Sequence, residues 1–259
     1  MREKETKREI EKMCPAQRCE RAKTVLAGLN PRLIEAIGLN QANKIILFSD
    51  TLSKQIPESY AANAFNLFQD SLFRIEVITL CSLWDRADLD KHSIPLLREL
   101  LDNEAVLKCL LDMQVTASLR RPHNITGSPE LDEVGRLHIQ QVRQEQRVAS
   151  ANSNFMRAHC IYCRKLKALD GSCLLTKVRN LRHRYAHNFV DGLATIATHQ
   201  SPVEQPKYAD VDRLLEETIA VVKAAFLLIE QSEVLYEEAE TQWLEQTEQL
   251  WRNCKFDIS

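Results

Sequence analysis

A stretch of 40 residues, 130–169, contains no proline and a single glycine, Gly135. At 1.5 Å of rise per residue, this stretch predicts a helix of up to about 60 Å, which the small polar residues at 150–153 could interrupt. The whole chain of 259 residues has only 6 glycines and 8 prolines, which is few for a turn-rich fold. The sequence therefore predicts an all-α protein with long helices.

Prolines and small polar clusters divide the chain into segments of helical length. They lie at Pro31, Pro57, Pro95, 122–129 and 201–206. Apolar residues recur at steps of three and four over 31–56 and 59–83, which predicts two core helices, and over 208–248, which predicts one or two acidic amphipathic helices. Ser93 is expected to cap a further helix, and 123–129 is predicted to be a loop between two helical groups.

The first 30 residues are highly charged and carry few apolar side chains. We interpret 3–29 as a solvated or partner-seeking helix outside the core, which Pro15 is expected to break. The predicted organisation is a charged helical extension over 1–30, a helical domain over 31–235 and an acidic helical extension over 236–259.

No apolar run approaches the roughly 18 residues of a membrane span, and the first residues contain no apolar core of a signal peptide. We therefore expect a cytoplasmic protein with no membrane partner. Its 8 cysteines are then expected to be reduced thiols, because the cytoplasm keeps thiols reduced.

The formal net charge of −2 conceals two blocks of opposite sign. Residues 136–184 contain 11 Lys and Arg against 2 Asp and Glu, whereas 210–259 contain 4 against 12. The basic block can attract a polyanion, or the two blocks can pair with each other in the fold.

Three arginines and two histidines lie within 179–187 of a predicted helix. Arginine offers planar, permanently charged donors that match a phosphate, and histidine exchanges a proton near neutral pH, so the cluster suits phosphodiester chemistry. Helical spacing aligns Arg179, His183 and His187 on one face and turns Arg182 about 100° from His183. These charged residues lie beside a predicted apolar stripe on the same helix, formed by Leu174, Val178, Leu181, Tyr185 and Phe189.

Arg182 and His187 are five residues apart and do not point the same way on one helix. A second copy of the chain in a dimer could bring both groups to one phosphate.

The chain resembles the HEPN superfamily of helical domains. The signature of this superfamily is an arginine followed, after four to six residues, by a histidine, with a polar residue directly after the arginine. Residues 182–187 have this form, with His183 as the polar residue. The phrases "LRHRYAH", "CSLWDRADLDKHSIPLLREL" and "YADVDRLLEETIAVV" are most similar to the abortive-infection U-type (Abi U-like) HEPN proteins. The resemblance spans about 31–235 and implies a HEPN-type helical bundle, here with helical extensions at both ends.

The resemblance implies metal-independent cleavage of RNA at a homodimer interface, in a phage-defence or toxin–antitoxin system. Arg182 and His187 would carry the reaction, His187 as general acid or base and Arg182 as the stabiliser of the charged phosphorane. His183 would orient the phosphate, and Arg179 and Arg184 would bind backbone phosphates. The expected product has a 2′,3′-cyclic phosphate end, and an antitoxin protein is a further implied partner.

The sequence contains no glycine-rich loop of the kind that binds the phosphates of a nucleotide. We therefore expect neither a cofactor nor a metal. HEPN toxins that a minimal nucleotidyltransferase controls often carry a tyrosine two residues after the histidine, where this chain has Phe189. Neutralisation by modification of that tyrosine is therefore not expected.

Other interpretations stay open. The arginine-rich face could be a solvated surface opposite the acidic C-terminal helices, in a catalytically inactive RNA-binding or scaffold module. Zinc could be bound by histidines and cysteines of the same region. They are His159, Cys160, Cys163, Cys173, His183 and His187. Asp85 and Arg86 are interpreted as an ion pair at a helix end, with support of the Arg/His site as the alternative role.

Overall fold

In a computed structural model the chain forms nine α-helices within the part that the structure describes, which is residues 2–49, 52, 56, 60–120, 133–187 and 207–253. They are α1 (Arg2–Lys12), α2 (Pro15–Phe48), α3 (Tyr60–Ser82), α4 (Ile94–Leu101), α5 (Glu104–Arg120), α6 (Glu133–Leu169), α7 (Cys173–His187), α8 (Tyr208–Glu230) and α9 (Tyr236–Asn253). No strand occurs among these residues, so the all-α prediction is confirmed. A search of the same residues for an apolar helix that could cross a lipid bilayer finds none.

Helix α2 is the centre of the bundle and packs against α3, α4, α5, α8 and α9. Its core side chains follow a helical period from one end to the other. They include Cys19, Ala22, Val25, Leu26, Leu29, Leu33, Ala36 and Ile37. The interpretation of 3–29 as a segment outside the core is therefore wrong, because the buried apolar residues of its second half share one face of α2 and Ile10 of α1 is also buried.

The two prolines of this region have different effects. The predicted break at Pro15 is confirmed, because α1 ends at Lys12 and Pro15 is the first residue of α2, where a missing N–H costs no hydrogen bond. The predicted boundary at Pro31 is wrong, because α2 continues through it. Pro31 and Ala27, one turn before it, are both exposed, so water can reach the carbonyl that loses its partner. The division into 1–30, 31–235 and 236–259 stays a prediction.

The long-helix prediction is confirmed by α6, which has 37 residues and a length of about 55 Å. The interruption considered at 150–153 does not occur, because Ala151 and Phe155 are buried there and hold the helix against the bundle. The acidic segment forms two helices, which Gln231 separates in the left-handed conformation with φ 52°. Ser93 caps α4 as predicted, through a bond of 3.3 Å from the Leu96 N–H to its hydroxyl. The loop predicted at 123–129 and the cluster at 201–206 lie outside the described residues.

The segment 59–83 was predicted to form a core helix, and the structure confirms this for one face of α3 but not for the other. Leu80 is fully buried, whereas Leu67, Ile75 and Ile78 are between 45% and 67% exposed. These three residues share one side of the helix, which we call the α3 apolar face.

A buried carboxylate ties α3 to α2. Asn40 and Asn43 donate hydrogen bonds of 2.9 and 2.6 Å to the two oxygens of Glu76, which is completely buried. Burial raises the pKa of Glu76, and the two amide donors partly offset that effect. The Tyr208 hydroxyl donates to the Asn40 carbonyl at 3.0 Å, which adds α8 to the same network.

Gly38 allows α9 to approach α2. A Cβ atom at this position would lie 2.8 Å from Cε2 of Trp243 and 2.9 Å from its Cδ2. We expect Gly38→Ala to lower the free energy of unfolding by up to about 2 kcal/mol, because overpacking against the indole costs about 1–3 kcal/mol and the gain in helix propensity is about 1 kcal/mol. Urea unfolding followed by circular dichroism measures the change.

The control for Gly38→Ala is the same substitution in a Trp243→Ala background. There the steric conflict is absent, so alanine should stabilise the helix by up to about 1 kcal/mol. Equal destabilisation in both backgrounds would contradict the close approach of the two helices.

Candidate functional site

The arginine and histidine motif lies on α7, directly after a tight turn. Gly171 adopts a φ of +72°, which favours glycine, and the Ser172 hydroxyl accepts the Leu175 N–H at 3.1 Å. Val178 and Leu181 are buried, and Leu174 and Tyr185 are half-buried against the core. The predicted apolar stripe is thus confirmed for these four residues, whereas Phe189 lies outside the described part.

Packing on α3 fixes the second half of α7. The ring of Phe73 meets the ring of Tyr185 edge-on with centroids 6.4 Å apart, and the Arg74 guanidinium lies 5.1 Å from the Tyr185 centroid. Asp70 holds Arg74 in place with a contact of 2.5 Å. The orientation of α7 therefore follows from specific contacts with its neighbour.

Trp84 anchors the connection between α3 and α4 beside the motif. Its side chain is completely buried, and its indole N–H donates to the Thr218 hydroxyl of α8 at 2.9 Å. The carbonyl of the same residue accepts a hydrogen bond from the Arg179 guanidinium of α7. Trp84 thus ties the connection to α7 and α8. The bond to its carbonyl gives Arg179 a structural role.

Arg182 is held by the residue that follows this anchor. Its Nη1 lies 2.6 Å from Oδ1 of Asp85, and the Lys91 ammonium lies 2.9 Å from the other carboxylate oxygen. The side chains of Arg182 and Asp85 are 26% and 21% exposed. Burial alone raises the pKa of Asp85, but the hydrogen bonds and charges of Arg182 and Lys91 outweigh it, so that the pKa lies below its ordinary value. The carboxylate is therefore ionised at neutral pH.

The predicted ion pair between Asp85 and Arg86 is wrong. Arg86 is exposed, while Asp85 turns towards α7 and bonds to Arg182. The chain leaves the helical path after Ser82, so neighbours in sequence point in different directions there. The alternative role for Asp85, support of the Arg/His site, agrees with this geometry.

Cys81 lies close to the same cations but is not a nucleophile candidate. Burial raises the pKa of its thiol to about 11, although the charges of Arg182 and Arg179 lower it. The thiol is therefore neutral at physiological pH.

The five predicted site residues have different surroundings on α7. Arg179 and Arg182 are half-buried against the connection from α3, Arg184 is half-buried, and His183 is exposed. His187 is the last residue of α7, and its side chain lies outside the described part. On a continuous helix, Arg182 and His187 are about 140° apart. The structure brings Arg182 together with Asp85 and Lys91, and the catalytic assignment itself stays a prediction.

Sequence reasoning gave Asp85 little weight and did not identify Lys91. Both residues lie in the phrase "CSLWDRADLDKHSIPLLREL", but the contact with Arg182 joins residues 97 positions apart, which the sequence alone does not show. A pairing over that distance follows from the packing of α3 on α7.

The zinc interpretation has no complete ligand set within the part of the chain that the structure describes. No group of three or more His, Cys, Asp or Glu side chains is placed there to hold a metal ion. Among the candidate ligands, Sγ of Cys163 and Nε2 of His159 are 3.3 Å apart, which makes a pair and not a set of three. The seven cysteines of the same part are all free thiols.

The ion pair of Asp85 predicts a pH-dependent contribution to stability. We expect Asp85→Asn to lower the free energy of unfolding at pH 7 by about 1–2 kcal/mol, since a charged, partly buried pair is lost. The native pKa lies below the unfolded value of about 3.9, so this stabilisation is complete above that value and is lost as pH falls through the native pKa. Urea unfolding of both proteins from neutral to acid pH measures the difference, which should disappear at low pH.

Asp90→Asn is the matched control, because Asp90 is an exposed carboxylate of the same connection. It should change stability by less than about 0.5 kcal/mol. A difference between wild type and Asp85→Asn that persists unchanged into acid would contradict the role of the ionised pair.

One model of a known protein family matches this chain. The family model HEPN AbiU2, described as AbiU2, matches residues 33–255, which is most of the chain. The match includes α7 and the connection with Asp85, and it extends past the end of the predicted resemblance at residue 235. No curated protein and no solved structure matches the chain.

Proposed function

Since this chain belongs to the AbiU2 family of HEPN domains, we propose that it is a metal-independent endoribonuclease of an abortive-infection or toxin–antitoxin system. It cleaves RNA through attack of the ribose 2′-hydroxyl on the adjacent phosphate. The products are a 2′,3′-cyclic phosphate end and a 5′-hydroxyl end.

The observation that carries the proposal is the fixed position of Arg182. Its guanidinium has five N–H donors, and the contact with Asp85 employs one end of it. A cation that is already oriented stabilises charge that develops on a phosphorane without the cost of reorganisation. Arg182, Lys91 and Asp85 together carry a net charge of +1, so the cluster as a whole attracts a phosphate.

The other residues of the motif take the remaining roles. His187 exchanges the proton, because an imidazole can accept it from the 2′-hydroxyl or donate it to the leaving oxygen. His183 orients the phosphate, and Arg184 binds the RNA backbone. Arg179 supports the site through its bond to Trp84, and any contact it makes with RNA is additional.

The angle of about 140° between Arg182 and His187 supports a dimer. A two-fold axis that brings two α7 helices together allows Arg182 of one copy to meet His187 of the other. The α3 apolar face lies on the helix that packs against α7, and contact with a second copy would bury it.

The first test is cleavage of total cellular RNA by purified protein in the presence of a chelator. We expect His187→Ala to reduce the rate by about 10²–10⁴-fold, since a general acid or base is lost, and Arg182→Ala by about 10²–10³-fold. Products are analysed for 2′,3′-cyclic phosphate ends, and circular dichroism confirms that each variant is folded.

His138→Ala and Arg213→Ala are matched controls, because both residues are exposed and lie on other helices. Both should cut RNA like the wild type. Wild-type protein that does not cut, or equal cutting by all five proteins, would contradict the proposal and favour the RNA-binding or scaffold module.

Sharing of the site across the dimer is tested by mixing subunits. If Arg182 and His187 of one site come from different copies, a dimer of one Arg182→Ala and one His187→Ala subunit keeps one intact site. Co-expression of the two inactive variants should then restore about a quarter of wild-type activity after statistical pairing. No restoration would contradict a site that the two copies share in this way.

A further inference from the structure

A cavity of about 850 Å³ lies between α5, α6 and the end of α8, and the Arg/His motif contributes no residue to it. Three arginines of α6 line it, Arg143, Arg147 and Arg157, against one acidic residue, Glu233. Four amide side chains also line it, Gln114 of α5, Gln146 and Asn154 of α6, and Gln231 directly after α8. The cavity is therefore a cationic site with many hydrogen-bonding groups.

Hydrogen bonds between the three elements fix the walls. Gln114 of α5 is buried and donates to the Leu228 carbonyl of α8 at 2.6 Å. The side-chain oxygen of Gln114 accepts a hydrogen bond of 2.8 Å from the Gln231 amide, and Arg147 donates to the Ser118 carbonyl at 3.2 Å. The shape of the site is thus defined by contacts on every side.

The arginines form a row along one face of α6. Positions 143, 147 and 157 lie within about 80° of one another around the helix, and Arg164 continues the same row towards α7. The span from Arg143 to Arg157 is about 21 Å along the helix axis. Both of these end residues are exposed, so their guanidiniums are accessible to a ligand.

We propose that this cavity, the α6 groove, binds a single strand of RNA. The arginines contact phosphates along the strand, because a positively charged groove that follows the backbone is the common means of holding a single strand. The amides of the walls meet the edges of bases, which present both donors and acceptors. A free nucleotide carries its phosphates at one point and cannot occupy arginines spread over about 21 Å.

The inference rests on the proposed function and adds to it a place where the RNA is held outside the cutting site. Phosphate contacts of this kind give affinity without sequence choice. The groove therefore positions the substrate, while the Arg/His motif cleaves it.

The test measures binding of an oligonucleotide that the protein cannot cut. Fluorescence anisotropy follows a 2′-O-methylated strand of about 12 nucleotides, a length within the usual footprint of about 4–16. We expect Arg143→Gln/Arg157→Gln to weaken binding by about 10-fold and to reduce the slope of log K against log salt by about 1.4, since two phosphate contacts are lost. The titrations run from about 50 to 200 mM salt.

Lys4→Gln/Arg8→Gln is the matched control, because it removes two positive charges from exposed positions on α1. No residue of α1 is among those that line the cavity. This control should bind like the wild type. Equal weakening in both double variants, or no weakening in either, would overturn the proposal.

ATP is titrated in the same assay as a free nucleotide. Binding of ATP that depends on Arg143 and Arg157, with no such dependence for the oligonucleotide, would also overturn the proposal. Cleavage of unmodified RNA by the wild type is measured in parallel. Arginine-dependent binding without cleavage would support the groove and contradict the nuclease, and cleavage with arginine-independent binding would do the reverse.

Discussion

The burial of Trp84 is the constraint on which the rest of the site depends. An indole N–H inside a protein needs an acceptor, and here the acceptor is Thr218 on α8. This bond places the Trp84 carbonyl where Arg179 can reach it and places Asp85 opposite Arg182. The connection from α3 to α4 is therefore part of the core, and α7 takes its position from it.

The fold class and most helices could be predicted from the sequence because helical periodicity and the scarcity of glycine and proline are local signals. Local signals failed at Pro31, where the cost of a missing hydrogen bond depends on whether the helix face is exposed. They also failed for Ile75 of α3, because an apolar residue at a helical spacing says nothing about which neighbour covers it.

The candidate site could be predicted only in its α7 part. Arginines and histidines within nine residues are visible in the sequence, and the family match includes them. Asp85 and Lys91 are about 90 residues away, in a phrase that resembles the family but does not show which residue of α7 they meet. Their role emerges from the packing of α3 on α7, a long-range contact that periodicity does not encode.

The fold gives two acidic residues of the C-terminal block partners that lie outside the basic block. α6 and α8 pack together, which would allow the basic and acidic blocks to neutralise each other. Asp212 instead pairs with Lys44 of α2, and Glu237 pairs with Lys223 of its own block. In the groove itself, three arginines of α6 face one acidic residue, Glu233, so the local charge is positive on balance. A nearly neutral protein can therefore hold a polyanion, because it is the local arrangement of charge that a ligand meets.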